Sequence, residues 1–283
     1  MSSTTELRAE SVKSAVNAAP VLGEAEFREF QGMIFAVAGI HMPASKRTMV
    51  AGRLSRRLKT LALGSYAEYW RYLKTSASEK QVAVDLLTTN ETYFFREPRH
   101  FEFLRDRILA ERRRQGRFRL WSAACSSGEE PYTAAMVLSD TMGASGWEIL
   151  ASDISTQVLE KARAGRYPLA RTDRIPPECL KRHCLKGIGE AAGTLMVDPA
   201  LRSRVEFRQI NLNTRLPDVG EFDVIFLRNV MIYFNADTKQ QIVARLQACL
   251  RPGGYLLIGH SETLNGFQNG LEAIAPSIYR KQK

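Results

Sequence analysis

The sequence predicts an α/β fold preceded by an all-helical domain, and three patterns support this prediction. Up to about residue 87, apolar residues recur every three or four positions, which is the period of an amphipathic helix. After residue 90, short apolar runs alternate with helical segments, which is typical of a parallel sheet covered on both faces. From about residue 176 to 210, glycines and β-like runs predict a small antiparallel β-subdomain inserted in the main domain.

The N-terminal part contains helical patterns only. Phe27, Phe30, Ile34 and Val37 share one face of a first helix, and further helices are expected over 45–63, 66–73 and 79–87. We therefore predict three parts: a flexible tail over 1–20, a helical domain over 21–89 and the main domain over 90–283.

The main domain opens with a helix predicted from Pro98 to Arg114. Strands and helices then alternate, with strands expected at 118–124, 147–152, 222–227 and 255–259 and helices from 129, at 155–164 and at 238–250. Inside the insertion, the two β-like runs are Thr194–Val197 and Val205–Gln209.

Composition excludes some classes of function and leaves others open. No apolar run is long enough to span a membrane, and the first 20 residues lack the apolar core of an export signal, so we expect a cytoplasmic protein. The four cysteines have no CxxC spacing, which favours free thiols over a metal site. The net charge of +10 suits an acidic partner, but charge alone does not distinguish nucleic acid, anionic lipid and acidic protein.

A loop of small residues, 122–128, leads into a helix that begins with Glu129 and Glu130. Ligands of open α/β sheets bind beyond the carboxyl ends of the strands. A diphosphate needs the positive end of the helix dipole, whereas two carboxylates at that end repel it and attract a cation. The loop therefore favours S-adenosylmethionine (SAM), with its sulfonium and ammonium groups, over NAD or ATP. The alternative is that both glutamates only complement the helix dipole.

Other polar residues follow predicted strands. Asp153 ends a strand, where a carboxylate accepts hydrogen bonds from ribose hydroxyls, but it also precedes a helix and fits an N-cap equally well. Arg228 and Asn229 follow a later strand and are soon followed by Tyr233, although an ordinary strand end with a solvated arginine gives the same pattern. Arg96 follows the domain boundary, where it is suited to balance a carboxylate.

Five segments, in this order, resemble the motifs of the CheR-type chemotaxis receptor methyltransferases: 90–98, 121–132, 151–154, 228–234 and 253–262. The resemblance spans about residues 24–280 and implies a SAM-dependent methyltransferase (Rossmann-like) sheet with an inserted β-subdomain and an N-terminal all-α domain. It also implies a protein-glutamate O-methyltransferase that transfers a methyl group from SAM to glutamates of methyl-accepting chemotaxis receptors, leaving S-adenosylhomocysteine. Such an enzyme serves chemotaxis adaptation at membrane receptor arrays, and we expect a monomer.

The resemblance also implies the site residues. By motif position, the expected cofactor contacts are Asn90, Thr92, Arg96, Glu130, Asp153, Asn211, Leu212, Arg228 and Asn229. Glu130 matches the family's contact better than Glu129. Arg96 and Tyr233 are the expected catalytic residues: Arg96 holds the carboxylate of the substrate or of SAM, and Tyr233 lies near the transferred methyl. A glutamate substrate is already ionised at neutral pH, so no general base is needed.

A basic helix is the expected contact for the receptor. Between Met42 and Ala67 the chain has no Asp or Glu, and the candidate substrate-binding residues there are Lys46, Arg53, Arg56 and Arg57. The family's receptor helices are acidic, which makes the charges complementary, but most charge runs on helices only face water. The glycine-rich segment resembles a loop with which some members bind a receptor tail peptide. Its part Gly189–Gly193 has no basic residue, so tail binding stays a hypothesis.

Two other functions remain compatible with the sequence. A SAM-dependent RNA methyltransferase fits the basic charge, but no aromatic-rich platform or RNA-binding module is visible, and we expect no nucleic-acid partner. An adaptor that binds SAM without catalysing methyl transfer would have the same pocket. Only a test for methylated product distinguishes such an adaptor from an enzyme.

Overall fold

The computed structural model describes residues 20–112, 116–266 and 270–282. The tail predicted for 1–20 therefore lies, except for Pro20, outside the described residues, as does the predicted helix end at Arg114. The chain forms two compact units, the first reaching Ile34 and resuming over Met42–Leu87, the second comprising Phe35–His41 and the chain from Thr88 onward. The boundary predicted at residues 89 and 90 is close to this division, but no sequence pattern indicated that Phe35–His41 belongs to the second unit.

The first unit is helical. Its helices are α1 (Glu24–Ala38, which ends in the second unit), α2 (Arg47–Thr60, preceded by a 3-10 turn at Ala44–Lys46), α3 (Tyr66–Thr75) and α4 (Ala77–Leu87). Phe27, Phe30 and Leu54 are buried as the helical period predicts. Ser65 caps α3 by accepting a hydrogen bond from the backbone N–H of Glu68 at 3.2 Å.

The second unit alternates strands and helices. In chain order, its described strands are β1 (Phe118–Ala123), β2 (Trp147–Asp153), β3 (Arg166–Pro168), β4 (Cys184–Lys186), β5 (Thr194–Val197), β6 (Val205–Gln209), β7 (Phe222–Leu227), β8 (Leu250–Ile258), β9 (Leu271–Ala275) and β10 (Ile278–Lys281). Its described helices are α5 (Arg99–Phe103, continued by a π-helix at Leu104–Leu109), α6 (Glu129–Met142), α7 (Thr156–Ala164), α8 (Pro177–His183), α9 (Pro199–Arg202) and α10 (Ala236–Ala248).

The main sheet of the described residues has seven strands in the order β6-β2-β1-β7-β8-β10-β9. The first five pair in parallel, while β10 pairs antiparallel with both β8 and β9. Successive residues of β1 enter different cores: Leu120 packs in a cluster with Met136 of α6, and Trp121 in a cluster with Ile242 of α10. The sheet is therefore covered on both faces, and the family's seven-stranded type is confirmed.

The inserted subdomain differs in extent from the prediction. Its antiparallel sheet has the order β3-β5-β4 and thus begins at Arg166, before the predicted start at Pro176. The placement of Val205–Gln209 in this insertion was wrong, because β6 pairs in parallel with β2 and forms an edge of the main sheet. The residue types predicted a strand there but carry no information about its partner.

Candidate active site

A cleft of about 860 Å³, counted with the solvent in its mouth, opens where the central strands end. Its walls come from residues just beyond the carboxyl ends of β1, β2, β6 and β7, which is the usual ligand edge of an open α/β sheet. All its lining residues belong to the second unit.

The predicted cofactor residues converge on this cleft. The lining includes Asn90, Thr92, Arg96, Glu130, Asp153, Asn211, Leu212, Arg228, Asn229 and Tyr233. These residues come from segments up to 143 positions apart in the sequence, from 90 to 233, and the topology brings them together. Their roles in binding remain predictions, but their proximity is a property of the fold.

The loop after β1 has an unusual backbone. Ala124, Ser126 and Gly128 all have positive φ, at 66°, 50° and 95°. Gly128 is required, because a Cβ there would lie 2.9 Å from both the Cβ of Ala162 and the hydroxyl of Tyr167. The loop therefore turns sharply and exposes a wall of small residues to the cleft.

Asp153 connects this loop to the next strand. Its Oδ2 accepts the backbone N–H of Ser126 at 2.9 Å, and its Oδ1 accepts that of Ser155 at 3.0 Å. The N-cap of α7 is Ser155, whose hydroxyl accepts a hydrogen bond from the N–H of Val158 at 3.5 Å. The N-cap alternative for Asp153 is therefore wrong, and its carboxylate is fixed at the cleft wall.

The two glutamates of α6 have different environments. Glu130 lines the cleft, accepting hydrogen bonds from the Ser122 hydroxyl at 2.6 Å and from Arg228 at 2.7 Å. Glu129 is fully buried away from the cleft lining, accepts the Ser127 hydroxyl at 2.7 Å and lies 3.1 Å from the Arg171 guanidinium. Burial raises the pKa of Glu129. The pair is thus more than a complement to the helix dipole.

Arg228 is a buried hub and not a solvated arginine, since only 5% of the residue is exposed. Its Nη1 donates to Glu130, and its Nη2 donates to Glu97 at 3.1 Å and to the carbonyl of Arg96. Its Nε donates to Nδ1 of His100 at 2.8 Å. The guanidinium therefore holds Glu130 at the cleft wall and binds Glu97 next to it.

Two further carboxylates fasten the loop after β7, and the sequence analysis missed both. Glu97 accepts the side-chain amide of Asn229 at 3.0 Å. Burial alone raises the pKa of Glu97, but the Asn229 bond and the Arg228 charge outweigh it and hold this pKa below the usual value. Glu262 accepts the backbone N–H groups of Asn229 and Ile232 at 3.0 and 3.3 Å. Both glutamates lie inside segments that resemble the family's motifs, 90–98 and 253–262. The sequence therefore pointed to these segments, but other residues in them were chosen as candidates.

A short segment of the second unit, residues 37–41, forms one wall and is called the strap here. Ala38 and Ile40 line the cleft. The Asn211 amide donates to the Val37 carbonyl at 2.6 Å, and the His41 N–H donates to the Tyr233 carbonyl at 2.8 Å. Asn211 thus uses its amide to hold the strap.

The predicted catalytic residues lie at the cleft wall. Arg96 donates to the Glu91 carbonyl at 2.9 Å, and its guanidinium lies 5.6 Å from the centre of the Tyr93 ring. Arg174 contacts the same ring at 4.7 Å. Tyr233 is half-buried.

Comparison with known protein families shows which family has this fold and cleft. Residues 90–279 match the model described as CheR methyltransferase, SAM binding domain, and residues 25–88 match CheR methyltransferase, all-alpha domain. The chain belongs to the CheR methyltransferase family. It is therefore a SAM-dependent methyltransferase, and its methyl donor is S-adenosylmethionine.

Similar proteins cover nearly the whole chain. Chemotaxis protein methyltransferase 2 of Pseudomonas aeruginosa is 43% identical over 270 residues, covering 92% of this chain and 96% of that protein. The chemotaxis protein methyltransferase of Escherichia coli is 41% identical and covers 93% and 92%, respectively. That of Salmonella typhimurium is 42% identical with the same coverage.

The cleft residues of this CheR family member fit its cofactor. Glu130 and Asp153 provide negative charge for a cationic ligand, and Ile154, Ile210 and Leu212 provide apolar surface for a flat base. Glu129 and Glu130 occupy the first turn of α6, where a diphosphate would need unopposed N–H groups. The chemistry of the lining therefore favours a cationic nucleoside over a dinucleotide.

The predicted receptor-binding residues of the first unit divide into two kinds. Arg57 donates to both carboxylate oxygens of Glu79, at 2.7 and 2.5 Å, and Arg53 donates to the carbonyls of Leu86 and Leu87 at 3.3 and 3.0 Å. Lys46 and Arg56 are exposed. Receptor binding by these four residues stays a prediction, but Arg53 and Arg57 already bind groups inside their own unit.

No helix of the described chain has both the length and the apolar character that a bilayer crossing requires.

Proposed function

We propose that this protein methylates glutamate side chains of chemotaxis receptors with SAM and so sets receptor adaptation. The observation that carries the proposal is the cleft, whose lining includes the two carboxylates Glu130 and Asp153, in a member of the CheR family. The relatives are themselves named chemotaxis protein methyltransferases.

The chemistry needs positioning more than acid–base catalysis. SAM supplies a methyl group on a positively charged sulfur. The receptor carboxylate, already ionised at neutral pH, forms the new O–C bond as the C–S bond breaks, and a neutral sulfide leaves. The protein must hold the carboxylate in line and exclude water. Because the charges cancel during transfer, the gain comes from geometry.

Arg96 and Tyr233 are the residues we assign to this positioning. Arg96 lines the cleft and has its guanidinium fixed by the Glu91 carbonyl, which supports a role in holding a carboxylate. Tyr233 lines the cleft and directly follows Ile232, whose backbone N–H Glu262 holds, and this supports a role beside the transferred methyl.

Receptor binding is assigned to the exposed basic residues of the first unit. Lys46 precedes α2 and Arg56 lies on it, in a segment without acidic residues, and this supports contact with acidic receptor helices. Arg53 and Arg57 contribute by stabilising the helix that carries Arg56. The receptor partner, a monomeric state and recruitment to receptor arrays in the cytoplasm all belong to this proposal.

The β-subdomain is proposed to bind a receptor tail peptide. Strand β4 is an edge strand, and an edge strand offers unpaired backbone groups to an extended peptide. Leu185 and Ile188 nearby are 46% and 83% exposed. A pull-down with receptor tail peptides that retains none of them would remove this part of the proposal and leave the rest intact.

Transfer of labelled methyl groups tests the function. Wild type, Asp153→Ala and the exposed control Glu160→Ala are incubated with labelled SAM and either receptor membranes or RNA. We expect base-labile label on receptor glutamates with wild type and the control, a drop of about 100-fold with Asp153→Ala, and no label on RNA. Label on RNA alone would contradict the proposal, and SAM binding without any product would instead indicate an adaptor.

A further inference from the structure

We propose that His100 is a positioning residue for the cofactor cleft: it orients the guanidinium of Arg228 and thereby holds Glu130 at the cleft wall. This inference rests on the proposed function, because it assigns a task within the same SAM site. His100 itself does not line the cleft.

The hydrogen-bond directions around His100 follow from the contact with Arg228. Nε of Arg228 can only donate, so Nδ1 of His100 must present its lone pair. The proton of a neutral ring then lies on Nε2, which is 2.8 Å from the Ser277 hydroxyl. That hydroxyl also lies 2.6 Å from the carbonyl of Pro276, so it can accept from Nε2 while it donates to the carbonyl. Both contacts are therefore compatible with one neutral tautomer.

This tautomer determines where the guanidinium points. Arg228 is planar, so an acceptor at its Nε sets the plane of the whole group. In that plane, Nη1 reaches Glu130 and Nη2 reaches Glu97. Glu130 is in turn held on its other oxygen by the Ser122 hydroxyl. The orientation of a cleft carboxylate therefore depends on the imidazole behind it.

The chain of bonds begins outside the cleft, in the turn between β9 and β10. Ser277 has a positive φ of 60° and its carbonyl accepts the N–H of Ile258 in β8 at 2.9 Å, so the turn is anchored to the sheet. His100 belongs to α5 and is only 1% exposed. The C-terminal hairpin thereby supports the cofactor site without touching it.

Two other interpretations of this cluster fail. Burial, helped by the nearby Arg228 charge, lowers the pKa of His100 to about 3, so the ring is not a cation at neutral pH. Glu97, His100 and His260 offer ligand atoms within 4.8 Å of one another. To bind His100, a metal ion would have to break the hydrogen bond from Arg228 to Nδ1 or remove the proton from Nε2. It would also lie beside the positively charged guanidinium, which disfavours a metal site here.

A pair of substitutions separates the two contacts. In His100→Asn, the side-chain oxygen takes the place of Nδ1 and keeps an acceptor for Arg228. In His100→Gln, the side-chain nitrogen takes the place of Nε2 and keeps only a donor for Ser277. We expect SAM dissociation constants from calorimetry within about threefold of wild type for Asn and raised about tenfold for Gln. Equal affinities for the two variants, with equal losses of Tm, would reduce His100 to a packing role and overturn the proposal.

The tautomer is measured directly in the wild-type protein by ¹⁵N NMR of histidine-labelled samples, with no SAM present. We expect a pyrrole-type Nε2 and a pyridine-type Nδ1. A protonated Nδ1 would overturn the proposal even if neither variant folds. If the tautomer is as expected but wild type binds no SAM, the proposed function fails and the hydrogen-bond network stands.

Discussion

Two arginines in different units each bind the carboxylate of a glutamate, but they lie at different places in the fold. Arg57 in α2 grips Glu79, which is 4% exposed and also accepts the Tyr69 hydroxyl at 2.9 Å. Arg228 grips Glu130, which lines the cleft. The first pair lies in a helical core, whereas the second holds a carboxylate at the wall of the cleft. An ion pair therefore indicates function only through its place in the fold, here the carboxyl end of a strand.

The same contrast separates the two groups of candidate site residues, since the cofactor candidates line one cleft whereas Arg53 and Arg57 bind groups inside their own unit. Residues that end parallel strands meet at one edge whatever their own partners are. Basic residues of one helix are close in sequence but point in different directions. Some of them, here Arg53 and Arg57, therefore bind groups inside their own unit. Four substitutions test this contrast.

The largest expected effect is in the strap. In Gly39→Val, the backbone at φ 72° is strained and the added Cβ lies 2.7 Å from Cγ2 of Thr238 and 2.8 Å from Oδ1 of Asn213. We expect SAM to bind about 100-fold more weakly in calorimetry. Gly52→Ala on α2 is the control, because its Cβ meets nothing within 4 Å. Undisturbed SAM affinity in Gly39→Val would mean that the strap is not a wall of the site.

Arg57→Gln should affect folding and not the cofactor. It leaves the buried Glu79 without its cation, and we expect a loss of about 2 kcal/mol in the free energy of unfolding, measured by urea denaturation. Arg56 on the same helix is exposed, so Arg56→Gln should change the free energy of unfolding by less than about 0.5 kcal/mol. An equal loss in both variants would erase the distinction between the two kinds of basic residue.

The stability difference caused by Arg57 should depend on pH. The hydrogen bonds from Arg57 hold the pKa of Glu79 below its ordinary value of 4.5. The stabilisation is therefore fully present above that value and is lost as the pH falls through the lower folded-state pKa. Urea titrations should show the stabilities of wild type and Arg57→Gln converging as the pH falls below 4.5, and a gap that stays constant over the whole acid range would contradict the ion pair.

Glu130→Gln should weaken SAM binding about tenfold, because the amide keeps the size but loses the charge that attracts a cation. The matched control is Glu129→Gln, whose carboxyl lies outside the cleft lining and should leave the dissociation constant within about twofold. A larger effect at Glu129 would mean that the wrong glutamate has been assigned to the cleft.

The smallest effect is expected at the surface. Arg56→Glu should raise the KM for receptor about threefold in low salt and less in high salt, since exposed charges are screened. SAM affinity should stay constant. A KM for receptor that changes neither with the substitution nor with the salt concentration would mean that Arg56 does not contact the receptor.

What could be predicted from sequence follows from which patterns are local. Helical periods and strand ends are local, so they predict the helices of the first unit and cleft residues such as Asp153 and Arg228, whereas Asn90, Thr92, Asn211 and Leu212 came from the family resemblance. The parallel partner of Val205–Gln209 and the strap depend on contacts between segments that are far apart in the sequence. His100 was missed for the same reason, because its partners Arg228 and Ser277 lie 128 and 177 residues away.

The central claim is that the cleft accepts a cationic nucleoside and not a diphosphate. Calorimetric titration of the wild-type protein with SAM and, separately, with NAD measures this directly. We expect SAM to bind with one site per chain and NAD to give no binding heat and no displacement of SAM. Binding of NAD in competition with SAM, or no binding of SAM at all, would contradict the claim.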